Sequence, residues 1–250
     1  MNTVKVKNDK TLIIAHRGLS GLEPENSIPA FVAAGNRSYY GIETDVHVTK
    51  DGKFVVIHDD QTGRVADNDV NVEQSTYSLL RKLNLDNICK KETDKGISPE
   101  DVVVRPDLII PNLEEYVNIC KKYEKKCVLE LKNRFEQIDI RRMIAEIREM
   151  DYLENMIFIS FSLENMVYLR ELLPNQELQY LTKNYDQEVL EQLNKYNLDL
   201  DVSHKALTEE VIMELHANGR KVNCWTVDKA ERAEELISWG IDFITTNILE

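Results

Sequence analysis

The sequence is poor in the residues that would place it in several broad classes. Only four cysteines occur, Cys89, Cys120, Cys127 and Cys224, with no C-x-x-C pair among them. That excludes a disulfide scaffold and a cysteine-ligated zinc site, and it fits reduced thiols in a cytoplasmic protein. Cys120 and Cys127 read as two small buried hydrophobes. Nine glycines and six prolines in 250 residues leave no room for a low-complexity or collagen-like tract, and no internal repeat is evident. No stretch approaches the ~20 apolar residues of a membrane span. The lysine-bearing start, MNTVKVKNDK, has no apolar run behind it before residue 11, so no secretory leader is expected in the chain. Positive charge is in deficit: 31 Lys and Arg against 44 Asp and Glu give a net charge of −13. Such a surface repels polyanions, so nucleic acid is a poor partner, and an anionic substrate must be drawn in locally by a metal ion or a few buried cations.

What is present is a regular alternation. Strand-like runs cover residues 11–16, 41–48, 126–132, 155–160, 177–181, 198–202, 221–227 and 241–246. Helical patterns cover 27–38, 112–124, 136–149, 163–173, 186–196, 208–218 and 229–239, with Asn26 or Ser27 as an N-cap ahead of Pro29 and Gly219 as a C-terminal stop. Strands alternating with helices imply a mainly parallel sheet, and eight such units in 250 residues match a (β/α)8 TIM barrel. An open doubly wound sheet would carry a glycine-rich phosphate loop after its first strand, and HRGLSGLEPEN is not one. Residues 53–105 do not fit a minimal barrel. They open on a short strand in KFVVIHDD and read as an excursion after the second strand, within a single barrel domain spanning 1–250. Glu250 follows the last strand by four residues, so an eighth helix is expected to be short or absent.

Parity along the strands sorts the ionisable groups. Leu12, Ile14 and His16 share one face of the first strand, and Glu43, Asp45 and His47 share one face of the second. Val128, Glu130 and Lys132 align on the third, and Phe54, Val56 and His58 on the short extra strand. In a barrel the apolar faces meet the helices, and the polar ends gather at the C-terminal rim, where this fold builds its sites. Carboxylates there need compensation. Glu43, Asp45 and Glu130 can together ligate a hard divalent ion, Mg2+ or Ca2+; a salt-bridge network with Arg17 or Lys132 is the other reading, and alternation alone does not choose. His16 and His58, two imidazoles that titrate near neutrality, can divide the tasks of base and acid. Arg17 and Lys132 add cations able to grip phosphate oxygens. Phosphoryl chemistry on a small anion fits this set; sugar hydrolysis would leave the histidines idle. His47 is expected in a supporting or surface position, His204 near a strand end, His216 and Trp239 in ordinary structural places. Ser160 and Ser162 lack a histidine–acid partner, so no serine nucleophile is read.

The segments HRGLSGLEPENS, GIETDVHVTKDGKFVVIHDD, IPNLEE, VLELK and WTVD resemble, in order and spacing, the motifs of the glycerophosphodiester phosphodiesterase family, from His16 to about Asn247. The resemblance implies a (β/α)8 barrel with a small insertion after the second strand, here 53–105. It implies divalent-metal ligation by Glu43, Asp45 and Glu130, acid–base catalysis by His16 and His58, phosphate contacts from Arg17 and Lys132, and a substrate wall at Trp225. The implied reaction splits a small-molecule glycerophosphodiester into sn-glycerol 3-phosphate and an alcohol, with a cyclic phosphate on one proposed route. A related alternative is a phospholipase D-like or phosphoinositide-cleaving activity on the same barrel, which would need a membrane-facing surface. Two positions depart from the family pattern: Asp228 stands where Asn is commoner, and Asn247 where an acid is more usual.

Overall fold

The computed structural model describes residues 2–7, 10–85 and 105–250; Cys89 and the remainder of 86–104 lie outside the described residues. Eight parallel strands form the wall of a barrel: β1 (Leu12–Ala15), β2 (Gly41–Val48), β4 (Lys126–Leu131), β5 (Met156–Ser160), β6 (Glu177–Thr182), β7 (Asp199–Ser203), β8 (Val222–Trp225) and β9 (Phe243–Thr246). The ring runs β1-β2-β4-β5-β6-β7-β8-β9 and closes where β9 pairs with β1 from Leu12 opposite Phe243 to Ala15 opposite Thr246. The short β3 (Phe54–Val56) folds back antiparallel on the end of β2.

Among the described residues seven helices join consecutive barrel strands: α1 (Ile28–Gly35), α3 (Leu113–Lys122), α4 (Gln137–Glu149), α5 (Leu163–Leu172), α6 (Gln187–Tyr196), α7 (Glu209–Ala217) and α8 (Ala230–Ser238); a short turn, α2 (Tyr77–Leu80), belongs to the excursion. Residues after β9 form no helix, and Leu249 instead bridges Val4. Caps fix several helix starts. Ser27 Oγ accepts the Ala30 N–H, and Asn112 with Glu115 forms a reciprocal capping box at α3. Arg81 grips the same Glu115 carboxylate with two N–H groups, at 2.6 and 2.7 Å, tying the excursion to the barrel's first long helix.

Strand parity decides what lies where. Ile42, Val46, Leu129, Leu131, Leu200, Val202 and Ile244 face the helices in one continuous apolar layer. Inside the barrel, Ile14, Val128, Ile157, Ile159, Leu181 and Phe243 form a smaller plug. A third cluster (Val55, Ile57, Ala66, Val72, Leu80, Leu108, Ile110) gives the described part of the excursion its own apolar centre, and Val56 N–H donates to Pro111 O at 2.8 Å where the chain returns. Among the described residues no helix is long and apolar enough to cross a membrane.

Candidate active site

β1 carries His16 to the rim, and the chain turns at once. Arg17 (φ 53°) and Gly18 (φ 73°) both occupy the left-handed region. A Cβ on Gly18 would stand 2.7 Å from the Ala30 carbonyl carbon, so glycine alone permits the first turn of α1 to pack here. This turn aims the Arg17 backbone N–H at Glu43 Oε2, 2.8 Å away.

Parallel register sets Asp45 of β2 beside Glu130 of β4, with Glu43 one layer deeper. One oxygen from each of the three carboxyl groups lies within 4.8 Å of the others, and all three residues are buried. Both readings left open by alternation meet at this corner. Lys132 Nζ lies 2.8 Å from Glu130 Oε1 and 3.4 Å from Asp45 Oδ1, and Arg17 Nε lies 3.6 Å from Asp45 Oδ2. Asn26, whose Oδ1 accepts from Thr44, donates its amide to Asp45 Oδ2 at 2.8 Å. Two cations do not balance three carboxylates. Burial opposes ionisation of Asp45, but Lys132 and Arg17 outweigh it and hold its carboxyl low. Burial, then Asp45 and Glu130, drive Glu43 well up; burial and Asp45 push Glu130 up to about 7. An ion-pair network alone therefore leaves two carboxyl groups disposed to keep protons. Oxygens about 2.4 Å from a Ca2+ ion can stand up to about 4.8 Å apart, so the observed cluster is of the size and donor type that a hard divalent cation takes.

The imidazoles have contrasting partners. His16 Nδ1 lies 2.7 Å from Asn247 Oδ1. The amide orientation is forced, because Asn247 Nδ2 is 2.6 Å from the Asp228 carboxylate, which only accepts; Asp228 Oδ1 takes the Asn247 N–H as well. Asn247 Oδ1 must then accept, from Ser20 Oγ and from a protonated Nδ1 of His16, which leaves the lone pair of His16 on Nε2. Burial, reinforced by Arg17, pulls His16 down to about 4. His58 instead pairs through Nδ1 with the Asp59 carboxylate at 2.5 Å. Burial lowers His58 too, against the pull of Asp45 and Asp59. The excursion reaches this dyad through Arg64, whose Nε binds Asp59 and whose two Nη groups bind Glu25; Glu25 also holds Arg17 at 2.8 Å.

A cavity of about 130 Å³ collects His16, Arg17, Glu43, His58, Glu130 and Trp225 on its lining. Phe161 meets Trp225 edge to face at 5.8 Å on its apolar side. Asp45 and Lys132 sit just behind, in contact with these groups. All eight residues singled out from the sequence are thus brought to one end of the barrel. Of the two places expected for His47, supporting or surface, it takes the first: it is fully buried, between Glu73 and the His58 carbonyl. His204 lies against Arg232, His216 forms an exposed pair with Asp242, and Trp239 packs on the core beneath Arg232. Ser160 Oγ donates to the Leu131 carbonyl and Ser162 caps α5, both structural tasks. Glu25, Asp59 and Arg64 went unnoticed in the sequence, although PEN and HD contain the first two.

Residues 16–250 match the family model for the glycerophosphoryl diester phosphodiesterase family. The Bacillus subtilis relative YhdW is 31% identical over 242 residues, covering 94% of this chain and 93% of its own length. A glycerophosphodiester phosphodiesterase of Caldanaerobacter subterraneus is 30% identical over 245 residues, covering 95% of this chain and 94% of that protein. The solved structure of an Oleispira antarctica phosphodiesterase in complex with the product sn-glycerol 3-phosphate superposes with a TM-score of 0.83 at 24% identity, over 95% of this chain and 93% of that one, and so has the same fold.

Proposed function

The chain belongs to the glycerophosphoryl diester phosphodiesterase family, and on that premise we propose that it hydrolyses small glycerophosphodiesters to sn-glycerol 3-phosphate and an alcohol, in the cytoplasm, using a divalent cation and two histidines. The observation that carries this reading is the pairing of two imidazoles, one on a neutral amide and one on a carboxylate, over a buried three-carboxyl corner in a single cavity.

Glu43, Asp45 and Glu130 would hold Mg2+ or Ca2+, which when bound supplies positive charge to the phosphoryl oxygens. Arg17 and Lys132, each held charged by Asp45 against the cost of burial, supply the protein's own share. Nε2 of His16 has a lone pair and an uncharged ring, so it takes the proton of the attacking oxygen, either the substrate's 2-hydroxyl or a water. His58 carries Nδ1–H toward a carboxylate, which offsets part of the lowering that burial imposes on the ring; in its protonated form its Nε2–H protonates the departing alkoxide. If a cyclic phosphate forms first, the two rings exchange roles when water opens it. Trp225 and Phe161 wall off the apolar side. On the same reading residues 53–105 are an insertion within one catalytic barrel, and Arg64 is one of the contacts by which it supports the site.

The test is turnover of a glycerophosphodiester panel, with glycerol 3-phosphate read by a coupled dehydrogenase. Chelation should abolish product and Mg2+ or Ca2+ should restore it; His16→Ala and His58→Ala should each lower kcat by about 10²–10⁴-fold. Absence of glycerol 3-phosphate from every member of the panel, with either metal added, would end this assignment.

A further inference from the structure

One carboxyl group on the cavity lining has no task in the chemistry above. Asp201, on β7, is 2% exposed; among the described residues its carboxyl group forms no hydrogen bond or ion pair, and its Oδ1 is buried without a partner. Its neighbours offered an escape that the fold does not take. Asn223 is in register beside it on β8, yet the Asn223 amide donates to Gln179 instead, and Asn223 Oδ1 accepts from Thr245. Among the described residues a second polar atom on the same wall is also unpaired, the indole N–H of Trp225 on β8. Natural interiors seldom leave such groups without partners unless a ligand completes them.

The ring order gives this wall its position. Counting around the barrel, β7 stands four strands from β2 in either direction, so Asp201 lies diametrically across from the strand that bears Glu43 and Asp45. The anion-handling groups occupy one side of the cavity. The rest of the lining is Ile159, Phe161, Leu181, Trp225, Thr226 and Thr245, with Asp201 as its carboxyl group. A largely apolar wall that carries an unpaired carboxyl oxygen and an unpaired indole N–H is complementary to a polyol, whose hydroxyls each donate and accept. Burial and the nearby Glu130 charge push the Asp201 carboxyl well up, so it need not repel a bound phosphodiester.

We propose that Asp201 is the specificity residue for the glycerol half of the substrate, hydrogen-bonding a glycerol hydroxyl across the cavity from the carboxyl corner, with the Trp225 indole N–H as the companion donor. This deepens the glycerophosphodiester reading and rests on it for the identity of the polyol. It is tested by binding rather than turnover, so that the two can fail separately. The probes are sn-glycerol 3-phosphate and ethyl phosphate, which share the phosphate and differ in hydroxyls, titrated calorimetrically into the full chain with Mg2+ or Ca2+ present. The unaltered chain should prefer glycerol 3-phosphate. Asp201→Leu and Asp201→Ala should weaken glycerol 3-phosphate by about 10–100-fold, the worth of one buried hydrogen bond, and leave ethyl phosphate within about threefold. Because Asp201 has no protein partner to lose, Asp201→Leu should keep or raise Tm. Asp201→Asn retains an acceptor oxygen and should recover part of the preference. Equal weakening of both phosphates, no weakening of either, or an unaltered chain that does not discriminate would each overturn the assignment, whether or not a glycerophosphodiester is turned over.

Discussion

Exchanging Asp228 and Asn247 should convert His16 from a weakly basic ring into one that titrates near neutrality. In the native arrangement the His16 Nδ1–H meets an amide oxygen at 2.7 Å, and the carboxylate that orients the amide lies one residue further back. In the double variant Asp228→Asn/Asn247→Asp the amide at 228 still donates across the 2.6 Å contact and its oxygen still accepts the residue 247 N–H, so every hydrogen bond has a counterpart. The charge, however, moves next to the imidazole. Unit charges about 4 Å apart at an effective dielectric of about 20 attract by about 4 kcal/mol, which at about 1.4 kcal/mol per pH unit raises the imidazole by about 3 units. His16, held at about 4 by burial and Arg17, would then titrate near pH ~7. The sign follows from the role of general base proposed for it above. A base must be unprotonated, so activity is lost as pH falls through the raised value. At pH ~6 only about a tenth of the variant would hold a free Nε2, against nearly all of the native chain, whereas at pH ~8 the two should agree within about threefold. The assay is kcat/KM against pH between ~5.5 and ~8.5, alongside the ¹⁵N shift of the His16 ring. Asn247→Asp alone, which sets two carboxylates face to face, serves as the destabilised control. A double variant whose acid limb coincides with the native one would refute the chain of partners Asp228–Asn247–His16 as the determinant of the base.

Three other outcomes follow from the same geometry. Burial and Asp45 hold Glu130 up to about 7, above its ordinary 4.5, so a cation bound as proposed must expel its proton below that pH; calorimetry in buffers of different ionisation heat should show more proton release near pH 6 than at pH 8, and a larger Tm gain from Mg2+ or Ca2+ at pH 8 than at 5.5, with pH-independent binding as the contrary result. Arg64→Met cuts the link between Asp59 and Glu25 without touching the cavity, and should lower kcat by about tenfold with little change in Tm, since an ion pair whose arginine is 47% exposed contributes about 1 kcal/mol or less to stability; an unaltered kcat would show that His58 and Arg17 hold their places unaided. Gly18→Ala combines a positive φ with a 2.7 Å clash against Ala30, and should cost about 2 kcal/mol or more in urea unfolding, an effect that a loss below about 0.5 kcal/mol would contradict.

The barrel and its carboxyl corner were legible because both rest on local periodicity. In GIETDVHV a period of two separates Glu43 and Asp45 from Ile42 and Val46, and a buried parallel strand leaves the acidic side nowhere to go but inward. Parity is silent about depth. LDLDV presents Asp199 and Asp201 with the same parity, yet Asp199 accepts the Lys221 N–H at the strand's entrance while Asp201 reaches the cavity unpaired. Strand length and tilt decide between them, and no short window of sequence records those. The Arg64 link is hidden for a different reason: it joins residues 39 apart through an irregular segment without any period. Asp228 and Asn247 lay between these cases. Each was visible as a departure from the family pattern, at unrelated places in the chain. Their contact shows that they are one feature. Across a 2.6 Å separation one side must donate and the other accept, so an amide and a carboxylate can exchange ends but two carboxylates cannot coexist there. What the exchange alters is which of the two faces His16, and therefore how basic the ring beside the carboxyl corner can be.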